Sequence, residues 1–209
     1  MSKNSRTDRA LELISHDRAF LSQSTLIAGM DEAGRGPLAG CVVAACVAFS
    51  LEEDPILWVD DSKKLSESRR EKVYDEIMEK ALYVGIGIAS AQVIDEINIL
   101  QATRRAMRDA ASGIPADLFL VDAVTNLSLP GREKAILHGD AISYSIAAAS
   151  IIAKVTRDRQ MRSLDRVYPA YGFAKHKGYG TAEHIDMLKR YGPCPEHRRT
   201  FIGHFWQKE

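Results

Sequence analysis

Four acids stand where a chain could gather them into one charged site. Asp31 and Glu32 close the apolar run LIAGMD and lead into Ala33, Gly34, Arg35 and Gly36; Asp122 ends FLVDA, and Asp140 follows AILHG. Ligands in α/β sheets collect where strands stop, so acids at three strand ends can share a site. Carboxylates crowded inside a fold repel one another, and a divalent cation relieves that repulsion. An all-oxygen donor set selects Mg²⁺ or Mn²⁺ over zinc. Two such ions can make water nucleophilic at neutral pH and stabilise a leaving oxyanion, which is what phosphodiester hydrolysis needs.

Glu32 poses a geometric problem, because neighbours on a regular strand point to opposite faces. The sequence predicts that the strand breaks there, with Gly34 and Gly36 supplying the freedom for Glu32 to swing toward Asp31. The same glycines expose backbone amides beside Arg35, a setting suited to phosphate. Gly34, Gly36 and Ala39 also fit a loose dinucleotide-binding fingerprint. Pro37 inside the loop and the β-branched run that follows argue against it, since the fingerprint needs a helix there.

The elements that must carry these residues follow from periodicity. TDRALELISHDRAFLSQ has helical spacing, LIAGMD and CVVAACVAF read as buried strands, and Ser68 with Glu71 forms a capping box for SRREKVYDEIMEKA. LYVGIGIAS is a strand, AQVIDEINILQATRRAMRDAAS a long amphipathic helix, and DLFLVDA a short strand. AISYSIAAASIIAKVTRDRQMRSLDRVY reads as one long buried helix, followed by a loop and a helix from Thr181 to Tyr191. Strands early and helices late predict an α/β domain whose mixed sheet begins antiparallel and ends under a helical cap. A chain of 209 residues, 45% hydrophobic, suits one domain. Residues 1–209 then form a single catalytic domain, with about 1–25 as an N-terminal helix and about 165–209 as the cap.

The formal net charge is zero, yet twelve Lys and Arg face six Asp and Glu between 154 and 209, so the rest of the chain is acidic. A basic quarter beside an acidic body fits metal-binding carboxylates next to a polyphosphate track; a solvated helix face is the alternative. Lys63, Lys64, Lys154, Lys175 and Lys177 are candidate phosphate contacts, interleaved in the C-terminal part with Tyr168, Tyr171, Phe173 and Tyr179. Four of the six histidines lie in that quarter and are expected at the surface or beside phosphate. Cys41, Cys46 and Cys194 form no CxxC pair, and no apolar run is long enough to span a membrane, so the reading is a cytoplasmic protein with a monomeric default. FIGHFW in the tail resembles a hydrophobic partner motif such as a sliding-clamp contact; an aromatic tail folding back on the domain is the alternative.

The motifs MDEAGRGPLAGCVVAA, DSKKLS, VDA, HGDAISYSIAAASIIAKVTRDRQM and YPAYGFAKHKGYGT resemble, in this order, those of bacterial ribonuclease HII, the type 2 ribonuclease H. The resemblance runs from Ala28 to about Phe205, with His138 in LHGD where the family often has lysine and a loop of its own after VDA. It implies a ribonuclease H-like mixed sheet flanked by helices, with a helical C-terminal region. It further implies an endonuclease that cuts the RNA strand of RNA–DNA hybrids and incises DNA duplexes at a single embedded ribonucleotide, leaving 3′-OH and 5′-phosphate ends. Asp31, Glu32, Asp122 and Asp140 would be the metal-binding catalytic set for Mg²⁺ or Mn²⁺. Gly34, Arg35 and Gly36 would read the ribose 2′-OH, and Tyr179 would sit against the sugar 3′ to the cut. Asp158 would either assist near a second metal or pair with Arg162. A ribonuclease HIII-like enzyme, which carries an additional N-terminal domain, an integrase-like relative and a non-catalytic duplex-binding module are the competing readings.

Overall fold

The computed structural model describes residues 3–60 and 62–206. Its centre is a five-stranded sheet made of β1 (Ile27–Ala33), β2 (Val42–Ala48), β3 (Tyr83–Ala89), β4 (Leu118–Asp122) and β5 (Arg132–Ile136). The order is β3-β2-β1-β4-β5. β1 pairs antiparallel with β2 and β2 with β3, whereas β4 lies parallel to both β1 and β5. The sheet is therefore mixed, and β1 is the strand on which the direction changes.

The helices are α1 (Lys3–Arg18), α2 (Glu67–Lys80), α3 (Ala91–Ala111), α4 (Tyr144–Val167), α5 (Phe173–His176), α6 (Ala182–Tyr191) and α7 (Arg199–Ile202). Alternation along β1 and β2 divides the core in two. Ile27, Val43, Ala45 and Val47 pack with α1, α2 and α4, while Ala28, Met30, Val42, Ala44 and Cys46 pack with α3. Ile151, Ile152 and Val155 of α4 close the first layer, and Ala102, Ala106 and Ala110 of α3 close the second. Small residues in α3 let it approach β3 so closely that a Cβ built on Gly87 falls 1.9 Å from the Ala106 carbonyl oxygen.

α3, α4 and α6 each begin on a side-chain cap: Ser90 accepts from the Val93 N–H, Ser143 from Ile146, and Thr181 from His184. α1 is docked by Asp17, fully buried, whose carboxylate accepts from the Ser145 N–H at 2.8 Å in the first turn of α4. An acid there also faces the positive end of that helix. Among the described residues no helix is long and apolar enough to cross a membrane.

Four expectations need correction. The strand through LIAGMD does not break at Glu32: β1 continues to Ala33, with Glu32 opposite Ala44. The α2 cap is Ser66, not Ser68, because Glu71 is drawn away to Arg159 and Arg162 of α4. Asp158 pairs with Lys154 at 2.8 Å rather than with Arg162, which reaches Glu67 and Glu71. Three of the four C-terminal histidines, His176, His184 and His197, are buried rather than at the surface. The tail folds back, Ile202 and Phe205 packing with Leu38 and Leu188.

Replacing Gly87 with Ala forces backbone against backbone, which no rotamer change relieves. The variant is expected to lose about 2–3 kcal/mol or more in urea unfolding. A loss below about 0.5 kcal/mol would contradict the close approach of α3 to β3.

Candidate active site

The parallel ladder between β1 and β4 ends at Met30 opposite Val121, while β1 runs on for three residues. Asp31 and Glu32 therefore stand beyond the hydrogen-bonded edge of β4, and Asp122 is the last residue of that strand. This overrun, not a broken strand, lets two neighbours on opposite faces border one cleft. The cleft holds about 280 Å³ and is lined by Asp31, Glu32 and Asp122, the loop from Ala33 to Gly36, Ser62, Lys63, Ser150, Lys154, Arg157 and Tyr179. Asp140, in the short turn after β5, is not among the residues that line the cleft but lies beside it. It is buried, its Oδ2 lies 3.4 Å from Lys63 Nζ, and its charge acts on Asp122.

These acids are held against their preference for water. Burial raises the Asp31 carboxyl well above the usual carboxylate range, and the charges of Glu32 and Asp122 push it further; the Glu32 N–H at 2.7 Å and the Ser150 hydroxyl oppose this only in part. Burial likewise raises Glu32, against the pull of Arg35, whose Nη1 stands 3.4 Å from Oε1. Burial raises Asp122 against the Gly139 N–H at 2.8 Å, with Asp140 adding repulsion. Among the described residues no three such side chains close into a ready-made ligand cage. Yet Glu32 Oε2 is buried with no hydrogen-bond partner. An orphaned carboxylate oxygen amid mutually repelling acids is the donor chemistry a hard divalent cation satisfies, so the residues fit such an ion.

The glycine loop is set from below by two buried guanidinium groups. Arg157 donates to the carbonyls of Cys41, Ala39 and Lys177 at 3.0–3.2 Å. Arg198 donates to Gly40, Arg35, Gly34 and Cys41 at 2.6–3.1 Å. Since these peptides are trans, a carbonyl drawn inward turns the next N–H outward. The Arg35 and Gly36 amides thus face away from Arg198. Gly34, at φ +99°, has no room for a side chain: a Cβ there falls 2.1 Å from Arg157 Nε. Gly36 differs, since its Cβ meets only Tyr179 Cε1, at 3.8 Å.

Tyr179 borders the cleft and is 46% exposed. Lys63 and Lys154 line the same cleft, but Lys175 and Lys177 do not. Lys175 reaches Glu183 at 2.5 Å, and the Lys177 ammonium binds the Ala174 carbonyl. Lys64 lies 3.4 Å from Asp60, also outside the cleft. Sequence reasoning missed Ser62, Ser150, Arg157 and Arg198. Ser150, Lys154 and Arg157 follow the i, i+4, i+7 spacing of one helix face, a signal that could have found Arg157. Arg198 carries no such signal.

Comparison with known proteins extends this geometry beyond one chain. The family model described as Ribonuclease HII matches residues 28–208. A Ribonuclease HII of Ruminiclostridium cellulolyticum is 51% identical over 201 residues, covering 95% of this chain and 78% of the relative. One from Geobacter sulfurreducens is 54% identical over 179 residues, 85% and 82% of the two chains. Among solved structures, the ribonuclease H2 of Pyrococcus horikoshii superposes with a TM-score of 0.72 at 28% identity, covering 84% and 93%. The RNase HII of Archaeoglobus fulgidus, solved as a complex with PCNA, gives 0.74 at 28%, covering 88% and 98%. The mixed sheet with its carboxylate cleft is thus the ribonuclease H fold. A family model that matches residues 28–208, with identity near one half over most of the chain, makes this chain a member of the ribonuclease HII family and a ribonuclease H-type hydrolase.

Proposed function

We propose that this chain cuts the RNA strand of RNA–DNA hybrids and incises on the 5′ side of a single ribonucleotide embedded in duplex DNA, leaving 3′-OH and 5′-phosphate ends. The carrying observation is the close spacing of Gly36 and Tyr179, a gap that one Cβ on Gly36 would close to contact with Tyr179 Cε1 at 3.8 Å, bordering the same cleft as Asp31, Glu32 and Asp122. RNA differs from DNA at one sugar by its 2′-OH, and only a group in direct contact can read it. The outward amides of Arg35 and Gly36 offer that contact. Tyr179 faces them with a flat apolar surface suited to the next sugar, where a deoxyribose fits flush.

Asp31, Glu32, Asp122 and Asp140 are the groups that would hold Mg²⁺ or Mn²⁺, and such ions supply a nucleophilic water and stabilise the leaving oxygen. The protein itself orients the scissile phosphate. Lys63 and Lys154 lie at the cleft wall for backbone contacts that position a duplex without reading its sequence. Lys175 and Lys177 are better placed for outlying phosphates than for the reacting one. An exposed ion pair such as Lys175 with Glu183 holds its partner weakly enough to exchange it for phosphate.

Asp31→Asn and Asp122→Asn are each expected to lower cleavage by about 10²–10⁴-fold while duplex binding persists, since binding runs through phosphates. Turnover near wild type in either variant would reject the assignment. Stability moves the other way. A raised carboxyl pKa in the folded state means stability present below the unfolded value of 3.8 and lost as pH rises through the folded value. With divalent ions chelated, Asp31→Asn should therefore melt above wild type near pH 7, the difference shrinking toward pH 4.

The two loop glycines should separate. Gly36→Ala is expected to fold with near wild-type stability yet cut single-ribonucleotide duplex at least about tenfold more slowly, because its methyl closes the spacing to Tyr179 to van der Waals contact. Gly34→Ala should lose stability and activity together, since its methyl collides with Arg157 and its φ is left-handed. Calorimetry and single-turnover cleavage check both.

A further inference from the structure

We propose that the dipeptide His197–Arg198 is the gauge of the ribose gap: through two opposite side chains it sets Tyr179 and the glycine loop at a fixed separation. The inference rests on the reading of that gap given above and adds the residues that hold it.

One half is the clamp of Arg198 on the carbonyls of Gly34 and Arg35. The other half is a relay through buried histidines. The Cys194 N–H donates to His197 Nδ1 at 3.0 Å. That nitrogen must be an acceptor, so the ring carries its proton on Nε2. Nε2 stands 3.0 Å from His184 Nε2, which must in turn accept. His184 is then protonated on Nδ1 and donates to the Tyr179 carbonyl at 2.9 Å. Backbone groups at both ends, which do not titrate, fix the direction of the whole relay. The same carbonyl also accepts from the Thr181 N–H at 2.8 Å, and the Tyr179 N–H donates to the His176 carbonyl at 3.0 Å.

The relay is not simply core packing. Tyr179 is 46% exposed, with the Arg157 guanidinium 5.9 Å from its ring centroid, so burial holds it only in part and the position of its backbone bears on where the ring stands. That backbone follows two left-handed residues, Lys177 at φ 52° and Gly178 at φ 81°. His176 supports them, accepting from the Gly178 N–H at 3.2 Å and donating to the Tyr171 carbonyl at 2.7 Å. His176 stacks on His184 with ring centroids 4.4 Å apart. The main chain at 196–198 is registered on the far side of the gap, where the Arg198 N–H donates to Leu38 and the Gly40 N–H to Glu196. Adjacent residues thus reach the two walls in opposite directions. Displacing either changes the space for one sugar.

The test compares cleavage of a duplex with one ribonucleotide against a long hybrid. His184→Phe removes the donor to Tyr179 while retaining a ring, and it should lower the single-ribonucleotide rate about tenfold relative to the hybrid rate. His184→Asn keeps a donor near the Nδ1 position and should restore most of that ratio. In a Tyr179→Ala background, His184→Phe should leave the ratio unchanged. The proposal is overturned if His184→Phe preserves the wild-type ratio, if Asn fails to restore it, or if the effect persists without the tyrosine ring. Should His184→Phe not fold, long-range ¹H–¹⁵N NMR of the wild-type rings decides: Nδ1–H at His184 with Nε2–H at His197 supports the relay, and the opposite tautomers reject it. If Tyr179→Ala alone leaves the ratio unchanged, the reading of the gap fails, and the tautomers still report separately on the relay.

Discussion

Two positive charges that, among the described residues, have no carboxylate at hydrogen-bond distance hold this site together. Arg157 and Arg198 are almost fully buried, and each hydrogen bond recorded from their guanidinium groups ends on a backbone carbonyl. Burial, with Arg157 nearby, lowers Arg198 to about 10, still well above neutrality, so the charge persists. Six carbonyl dipoles, that of Cys41 shared by both arginines, serve in place of counter-ions. Lysine could not replace either residue: a guanidinium carries five donors in a rigid fork, which allows one side chain to hold peptides from both ends of a loop. The segments tied in this way, 34–41 and 177, are distant in sequence, and next to this clamp the Leu38 N–H donates to the Gly178 carbonyl at 2.8 Å.

The acids and arginines form two layers with opposite aims. The overrun of β1 past β4 places Asp31, Glu32 and Asp122 where they raise one another's proton affinity. Beneath the neighbouring loop, the arginines build a positive region with amides facing outward. A phosphodiester needs both: cation-binding oxygens at its reacting atoms and donors along its backbone. Each layer is costly to bury alone. Side by side, on the function proposed above, they would set a charged substrate between a negative wall that a metal can neutralise and a positive wall that stays charged at neutral pH. Local rules fail at such places because function, not folding, sets them.

How much could be read in advance varies along the chain for physical reasons. The strands β1 to β4 and the helices α3, α4 and α6 carry strong periodicity and caps such as Thr181, so they were legible. β5 was not, because Arg132, Glu133 and Lys134 look like a loop; they are exposed on an edge strand, where charge discourages further pairing. The Ser68–Glu71 box was locally sound but lost to tertiary ion pairs from α4. Asp31, Glu32, Asp122 and Asp140 announced themselves as acids ending apolar runs. The strand overrun that unites the first three depends on where β1 stops pairing with β4, a fact no local pattern contains. The histidines misled for a related reason: their neighbourhood is basic in sequence, whereas their rings turn into an aromatic cluster with Tyr171 and Phe173.

That last point also resolves what the basic C-terminal quarter does. Its excess charge is not laid out as one track for nucleic acid. Arg157 and Arg198 are internal, Arg159 and Arg162 tie α4 to α2 through Glu71, and Lys175 and Lys177 have local partners. Much of the positive charge therefore orders protein rather than attracting substrate. A single hydroxyl is a small handle. A site that must distinguish it gains more from walls that cannot yield than from added attraction, because a loose gap accepts both sugars and field strength favours every duplex equally. Directed hydrogen bonds from buried arginine and histidine to backbone carbonyls supply that stiffness, since each has one geometry and a large penalty for being left unmade. On the function proposed above, the selectivity of the site is then a property of its backbone, and Tyr179 is the exposed end of a construction that lies almost wholly inside.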